Sequence, residues 1–82
     1  MIYCFDIDGT ICSSVFDGDY TKAEPFEDVV KSINELYEAG NKIIIMSARG
    51  SVRKIDFETM TRNQLADWGL KYHTLLMNIK PN

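Results

Sequence analysis

The stretch Ile2-Tyr3-Cys4-Phe5-Asp6-Ile7-Asp8-Gly9-Thr10, residues 2–10, joins an apolar, β-favouring run to an acidic turn. The apolar run predicts a buried strand that ends at Asp6. Gly9 and the short polar side chains around it indicate a turn directly after that strand. The stretch therefore predicts that two carboxylates, Asp6 and Asp8, lie at the carboxyl end of one strand of a sheet.

The rest of the chain alternates between helical and strand patterns. Apolar residues recur at helical spacing over 26–39, where Pro25 favours a helix start and Gly40 a helix stop. This helix follows a segment, 13–24, that we expect to run over the surface. The β-branched run 42–46 predicts a second strand, and a helix over about 57–68, capped by Asp56, precedes a third strand at 75–77. This order predicts an α/β fold: a three-layer, Rossmann-like parallel sheet in a single domain over residues 1–82.

Composition restricts the class of protein. Among the 82 residues, 45% are hydrophobic and 26% charged, which is typical of a globular chain and not of a disordered one. No apolar run approaches the length of a membrane span, and an isoelectric point of about 4.9 argues against a nucleic-acid binder. The two cysteines match no disulfide framework, so we expect a reducing, cytoplasmic setting in which Cys4 is buried and inert.

Asp6 and Asp8 are the residues most indicative of chemistry. Two carboxylates this close repel each other unless a cation neutralises them or one carries a proton. Oxygen ligands favour Mg²⁺ over zinc, and the chain has a single histidine. An aspartate pair that makes turn and cap hydrogen bonds is the alternative, and spacing alone does not decide between the two. If repulsion dominates, Asp6→Asn or Asp8→Asn should stabilise the metal-free protein.

Three strings in the chain resemble the motifs of one enzyme superfamily. Residues 3–11 resemble the first motif of the haloacid dehalogenase-like (HAD) phosphotransferases, and Ile43-Ile44-Ile45-Met46-Ser47 resembles the second. Lys80-Pro81 resembles the third motif as found in small, capless members associated with capsule or polysaccharide biosynthesis. The resemblance implies a HAD-like catalytic core that extends over nearly the whole chain.

The resemblance also implies a role for each matching residue. Asp6 would be the nucleophile that becomes an aspartyl-phosphate, and Asp8 the general acid and base. Asp6 and the Asp8 carbonyl would bind Mg²⁺ as the cofactor. The phosphate would be bound by residues with small or hydrogen-bonding side chains, namely Gly9, Thr10, Ser47 and Lys80. From its chemistry, Arg49 could bind a second anionic group of the substrate or pair with an acid in the segment 17–24.

The acidic fourth motif of the superfamily is missing from this sequence. We therefore expect the 82 residues to be a fold truncated after its third strand, part of a protein of roughly 110 to 140 residues. In the superfamily's strand order, the strand of Ile2 to Asp6 would then lie at an edge of the sheet. An exposed apolar edge favours self-association.

The sequence predicts a Mg²⁺-dependent phosphatase that acts on a small phosphorylated metabolite. One alternative is a non-catalytic binding or assembly module that keeps the sheet without turnover. A second alternative, removal of phosphate from nucleic-acid ends, is disfavoured by the acidic charge balance and the lack of a basic, aromatic groove.

Overall fold

The computed structural model describes residues 1–15, 19–49 and 57–77, along which strands and helices alternate as the sequence predicts. A short 3₁₀ helix, Tyr20–Lys22, precedes the first α-helix. The larger elements are β1 (Ile2–Asp6), α1 (Glu27–Glu38), β2 (Lys42–Met46), α2 (Glu58–Asp67) and β3 (Thr74–Leu76). The α/β fold is confirmed, and the predicted element bounds agree with the observed ones to within one residue. Asp56, the expected cap of α2, lies outside the described residues.

The three strands form one parallel sheet in the order β1-β2-β3. Asp6 is paired with Met46, and Met46 with Leu76, so the carboxyl ends of all three strands are level. β1 has a single strand neighbour within the described part of the chain, which confirms its predicted position at an edge. Ligands of parallel sheets bind beyond the carboxyl ends of the strands, and Asp6 lies at that end.

The hydrophobic core lies between one face of the sheet and the two helices. Ile43 and Ile45 of β2 pack there with Ile33 of α1 and Leu65 of α2, and each is at most 1% exposed. Both helices therefore pack against the same face, and the described residues form two of the three expected layers. Among these residues, no helix has the length and apolar character needed to cross a membrane.

The prediction that β1 is buried is wrong for one of its faces. Tyr3 and Phe5 pack against the core, whereas Ile2 is 66% exposed and Cys4 is also exposed. Side chains alternate between the faces of a strand, and β1 is both at an edge and covered by helices on one side only. Cys4 is therefore an accessible thiol and not the inert, buried residue expected.

Helix α1 ends in a motif that leads the chain directly into β2. Gly40 has a φ of +93°, and its amide donates to the Tyr37 carbonyl at 3.1 Å while the Asn41 amide donates to Leu36 at 3.2 Å. These bonds satisfy carbonyls that the last turn of a helix leaves without partners. The glycine stop predicted from the sequence is confirmed, and it fixes where β2 begins.

Candidate active site

A tight turn after β1 places the acidic stretch at the end of the sheet. The Ile7 carbonyl accepts hydrogen bonds from the amides of Thr10, Ile11 and Cys12 at 3.2, 2.8 and 3.2 Å. Gly9 has a φ of +85°, a left-handed conformation that side chains disfavour, and a Cβ there would lie 3.3 Å from the Ser14 hydroxyl. The turn therefore depends on glycine at this position.

Asp6, the predicted nucleophile, is exposed at the end of β1. One of its carboxylate oxygens accepts a hydrogen bond from the Ile7 amide at 2.9 Å. This bond fixes the carboxylate relative to the turn and leaves the second oxygen for other contacts. An exposed, oriented carboxylate has the access to a ligand that a nucleophile requires.

Asp8 is held by an arginine. The Arg49 guanidinium donates from Nε to Oδ2 at 3.0 Å and from Nη2 to Oδ1 at 2.8 Å, the bidentate geometry in which arginine binds a carboxylate. The Arg49 side chain is fully buried and that of Asp8 is 26% exposed. Arg49 thus compensates the charge of Asp8, which argues against dominant repulsion between Asp6 and Asp8 and leads us to expect that Asp8→Asn lowers stability.

The remaining donors of Arg49 contact helix α2. Nη1 donates to the Thr61 hydroxyl at 3.2 Å and to the Gln64 side-chain oxygen at 2.7 Å. The guanidinium carbon lies 4.4 Å from the centre of the Tyr20 ring, and the Gln64 amide donates to the Tyr20 carbonyl at 2.7 Å. We call these five residues, Asp8, Tyr20, Arg49, Thr61 and Gln64, the Arg49 network.

The sequence did not single out Thr61 and Gln64 as contributors to the site. They are three residues apart, one turn along α2, and Thr61 is fully buried. The sequence signal for their role was a pair of polar residues at this spacing, on the inner face of a helix that has few apolar residues. Among the described residues, the acid that pairs with Arg49 is Asp8, whereas Asp17 of the segment 17–24 lies outside them. Substrate contact by Arg49 stays a prediction.

Ser47 follows β2 directly and is 1% exposed. Its amide donates to the Leu76 carbonyl of β3 at 2.9 Å, and its hydroxyl oxygen accepts from the Arg49 amide at 3.0 Å. Since Asp6 is level with Met46, Ser47 is one residue beyond the strand end at which Asp6 lies. The hydroxyl supports the loop that carries Arg49, and its own proton can still be donated.

The structure brings most of the predicted site residues to one edge of the sheet. Gly9 and Thr10 are exposed on the turn after β1. Lys80 lies outside the described residues, so its predicted role in binding phosphate stays a prediction. The residues at the carboxyl ends of β1 and β2 are Asp6, Asp8, Gly9, Thr10, Ser47 and Arg49.

The donor set for Mg²⁺ fits in chemistry and is small in number. Asp6 offers an exposed carboxylate oxygen and Asp8 a main-chain carbonyl, both hard oxygen ligands of the kind that Mg²⁺ takes. The side-chain oxygens of Asp8 are engaged by Arg49 instead. Within the described ranges, no group of three His, Cys, Asp or Glu side chains could hold a metal ion.

Cys12 lies against Asp8 but is not a candidate nucleophile. Its sulfur is 3.6 Å from Asp8 Oδ1 and 3.7 Å from the Ile7 carbonyl oxygen. Burial, and then the negative charge of Asp8, raise the pKa of the thiol from 9.0 to about 12. A thiol that stays protonated at neutral pH is unreactive, so Cys12 contributes packing to the turn.

Comparison with known proteins identifies similar structures. The sequence matches no protein-family model and no curated protein. A crystal structure of an MCSG target protein from Vibrio cholerae is similar over 99% of this chain, with 26% identity and a TM-score of 0.84. The D,D-heptose 1,7-bisphosphate phosphatase from B. bronchiseptica, complexed with magnesium and phosphate, is similar over 99% of this chain, with 17% identity and a TM-score of 0.69. This chain shares its fold with each of these two structures.

A chain in the Pnkp1/Rnl/Hen1 complex is a third structural neighbour, with 21% identity and a TM-score of 0.71 over 99% of this chain. This chain spans 71% of the Vibrio protein, 51% of the heptose bisphosphate phosphatase and 28% of the chain in the complex. At identities this low, the latter two comparisons establish the Rossmann-like fold and nothing about substrates.

Proposed function

We propose that this chain is the catalytic core of a HAD-like phosphatase that hydrolyses a small phosphorylated metabolite. The observation that carries the proposal is the exposed Asp6 carboxylate at the carboxyl end of β1, two residues before an Asp8 carboxylate that is fixed in place. The fold shared with a bisphosphate phosphatase supports it, as does the resemblance of residues 3–11 to the superfamily's first motif. We include membership of the HAD superfamily in this proposal.

In the proposed reaction, an Asp6 oxygen attacks phosphorus and the bond to the leaving alcohol oxygen breaks. Asp8, in the protonated form that the second step regenerates, gives its proton to that oxygen, and the phosphoryl group is left on Asp6 as an aspartyl-phosphate. Asp8 then takes a proton from a water molecule that attacks the same phosphorus. Inorganic phosphate leaves and the Asp6 carboxylate is restored.

The remaining residues at the strand ends act on the charge of the phosphoryl group. Gly9 allows the backbone of the turn to approach the phosphate, while Thr10, Ser47 and Lys80 donate hydrogen bonds or positive charge. A Mg²⁺ ion held by Asp6 and the Asp8 carbonyl would neutralise negative charge on the phosphoryl oxygens. We include Mg²⁺ because the available donors are hard oxygens.

Release of inorganic phosphate from a panel of sugar phosphates, nucleotides and an aryl phosphate tests the proposal. We expect release in the presence of Mg²⁺, loss of release with a chelator, and loss of release in Asp6→Asn, whose neutral amide cannot form the acyl-phosphate. Asp67→Asn is the matched control, since Asp67 is an exposed acid at the end of α2 and should leave the rate unchanged.

Other outcomes of this screen would contradict the proposal. Binding of a phosphate analogue without turnover by any substrate would favour the non-catalytic module. Strong preference for phosphate at nucleic-acid ends over small metabolites would favour the nucleic-acid alternative. Equal rates for the parent chain and Asp6→Asn would exclude Asp6 as the nucleophile.

A further inference from the structure

We infer that Arg49 is a positioning residue, which orients the Asp8 carboxylate and is itself fixed by helix α2. This inference rests on the proposed function and adds to it residues from a third element, α2. It replaces the idea that Arg49 binds the substrate. The contacts of the guanidinium carry the argument.

All the donors of Arg49 are directed at groups of this chain. A guanidinium has five N–H donors. Two of them donate to the Asp8 carboxylate, and we call this bidentate contact the Asp8 fork. Two more donate to Thr61 and Gln64. The fifth is directed at the Cys12 sulfur, 3.9 Å from Nη2. With the side chain fully buried, no donor of Arg49 is left for an anionic group of a substrate.

The fork restricts both the position and the plane of the Asp8 carboxylate. Two parallel N–H···O bonds fix the plane of a carboxylate where one bond would let it rotate. Because each carboxylate oxygen has two lone pairs, Asp8 can accept a proton from water while it remains bonded to Arg49. Hydrolysis of the aspartyl-phosphate, in which Asp8 takes that proton, is therefore the step that Arg49 serves.

Helix α2 fixes the guanidinium in turn. Thr61 and Gln64 accept from the same nitrogen, Nη1, and the Tyr20 ring covers one face of the guanidinium. Gln64 also donates to the Tyr20 carbonyl, which ties the 3₁₀ helix to α2. A displacement of α2 would therefore move Arg49 and, through it, Asp8.

Steady-state kinetics of Arg49→Gln with an aryl phosphate are the test. Misplacement of a catalytic group by about 1 Å costs on the order of 10²-fold in rate. We expect kcat to fall by about 10- to 100-fold and KM to change by less than about threefold, since binding does not use Arg49. The aryl leaving group needs little help from an acid, so phosphorylated Asp6 should accumulate in the variant.

A double-mutant cycle with Asp8→Asn separates positioning from substrate binding. If Arg49 acts through Asp8, Arg49→Gln should have little further effect on kcat when Asp8 is already Asn. Multiplied effects on kcat/KM, together with a raised KM, would show that Arg49 contacts the substrate and would overturn the inference. So would a loss of activity proportional to a loss of folded protein, because it would make the role merely structural.

Two further variants keep the test decisive. Gln64→Leu retains the Asp8 fork and removes one acceptor of Arg49, so it should lower kcat by a smaller factor than Arg49→Gln does. This variant keeps the test informative even if Arg49→Gln fails to fold. An unchanged kcat in Gln64→Leu would contradict the inference. Arg62→Gln, which breaks an exposed ion pair with Glu58 on the same helix, is the matched control and should leave kcat unchanged. A parent chain without turnover would overturn the proposed function and this inference together, whereas turnover with additive effects would overturn the inference alone.

Discussion

Replacement of Asp8 by Asn should destabilise the fold, although it removes one of two neighbouring negative charges. The Arg49 guanidinium is fully buried and loses a charged partner that accepts two of its hydrogen bonds. An asparagine oxygen can accept one of these bonds, but its amide group then faces the other guanidinium donor. A buried cation is left with neutral partners only.

The magnitude follows from the burial of the two groups. Loss of one partner of a fully buried ion pair typically costs about 3–5 kcal/mol. Asp8 is 26% exposed and the Asn oxygen retains one bond, so we expect a loss of about 2–3 kcal/mol in the free energy of unfolding. For a domain of this size, that loss lowers Tm by about 8 °C or more.

Urea and thermal unfolding of metal-free protein, followed by the fluorescence of Trp68, measure the effect. Trp68 is the single tryptophan and contacts the core at the end of α2. Asp6→Asn is the control at the same strand end. Arg62→Gln is a second control, because it removes the ion pair between Arg62 and Glu58, whose side chains are about half exposed. Both variants should change the free energy of unfolding by less than about 0.5 kcal/mol. An Asp8→Asn protein as stable as the parent would refute the role given to the Asp8–Arg49 pair.

Three other predictions concern the turn after β1 and the two cysteines. Gly9→Ala should cost about 1–2 kcal/mol in unfolding free energy, because alanine disfavours a φ of +85° and its Cβ would crowd Ser14; an unchanged urea midpoint would contradict this. Burial raises the pKa of the Cys12 thiol from 9.0 to about 12 in the folded protein. As pH rises above 9, the unfolded chain loses this proton first, so the contribution of Cys12 to the stability of the folded state falls. The stability advantage of the parent over Cys12→Ala should therefore shrink by up to about 1.4 kcal/mol per pH unit between pH 9 and 11, and a constant difference would argue against this pKa. Under native conditions one thiol should react rapidly with a disulfide reagent, and Cys4→Ser should abolish that fast phase.

The elements of the fold could be predicted from local patterns. Pro25 and Gly40 bracket α1, and the β-branched run 42–46 marks β2, because each of these signals acts on the neighbouring backbone. The exposure of Cys4 could not be predicted in the same way. An apolar run indicates a strand but does not say how many of its faces are covered, and here the described helices cover only one.

The candidate site divides along similar lines. Asp6, Asp8 and Ser47 were placed at strand ends by motif and spacing, and the structure has them there. The partner of Arg49 is a long-range contact between residues 41 positions apart, for which the sequence offers no periodic signal. The expectation of repulsion between two adjacent carboxylates therefore lacked one charge. A buried arginine from another loop compensates the charge of Asp8.

Chemical trapping of a phosphoryl group on Asp6 tests the central claim most directly. The parent chain would be mixed with an aryl phosphate and Mg²⁺, quenched, and reduced with borohydride, which converts an aspartyl-phosphate into homoserine that peptide mass spectrometry can locate. We predict homoserine at position 6 in the parent chain, more of it in Asp8→Asn because hydrolysis of the intermediate is slowed, and none in Asp6→Asn. Phosphate release by the parent with no modification at Asp6, or with modification at another residue, would contradict the claim that Asp6 is the nucleophile.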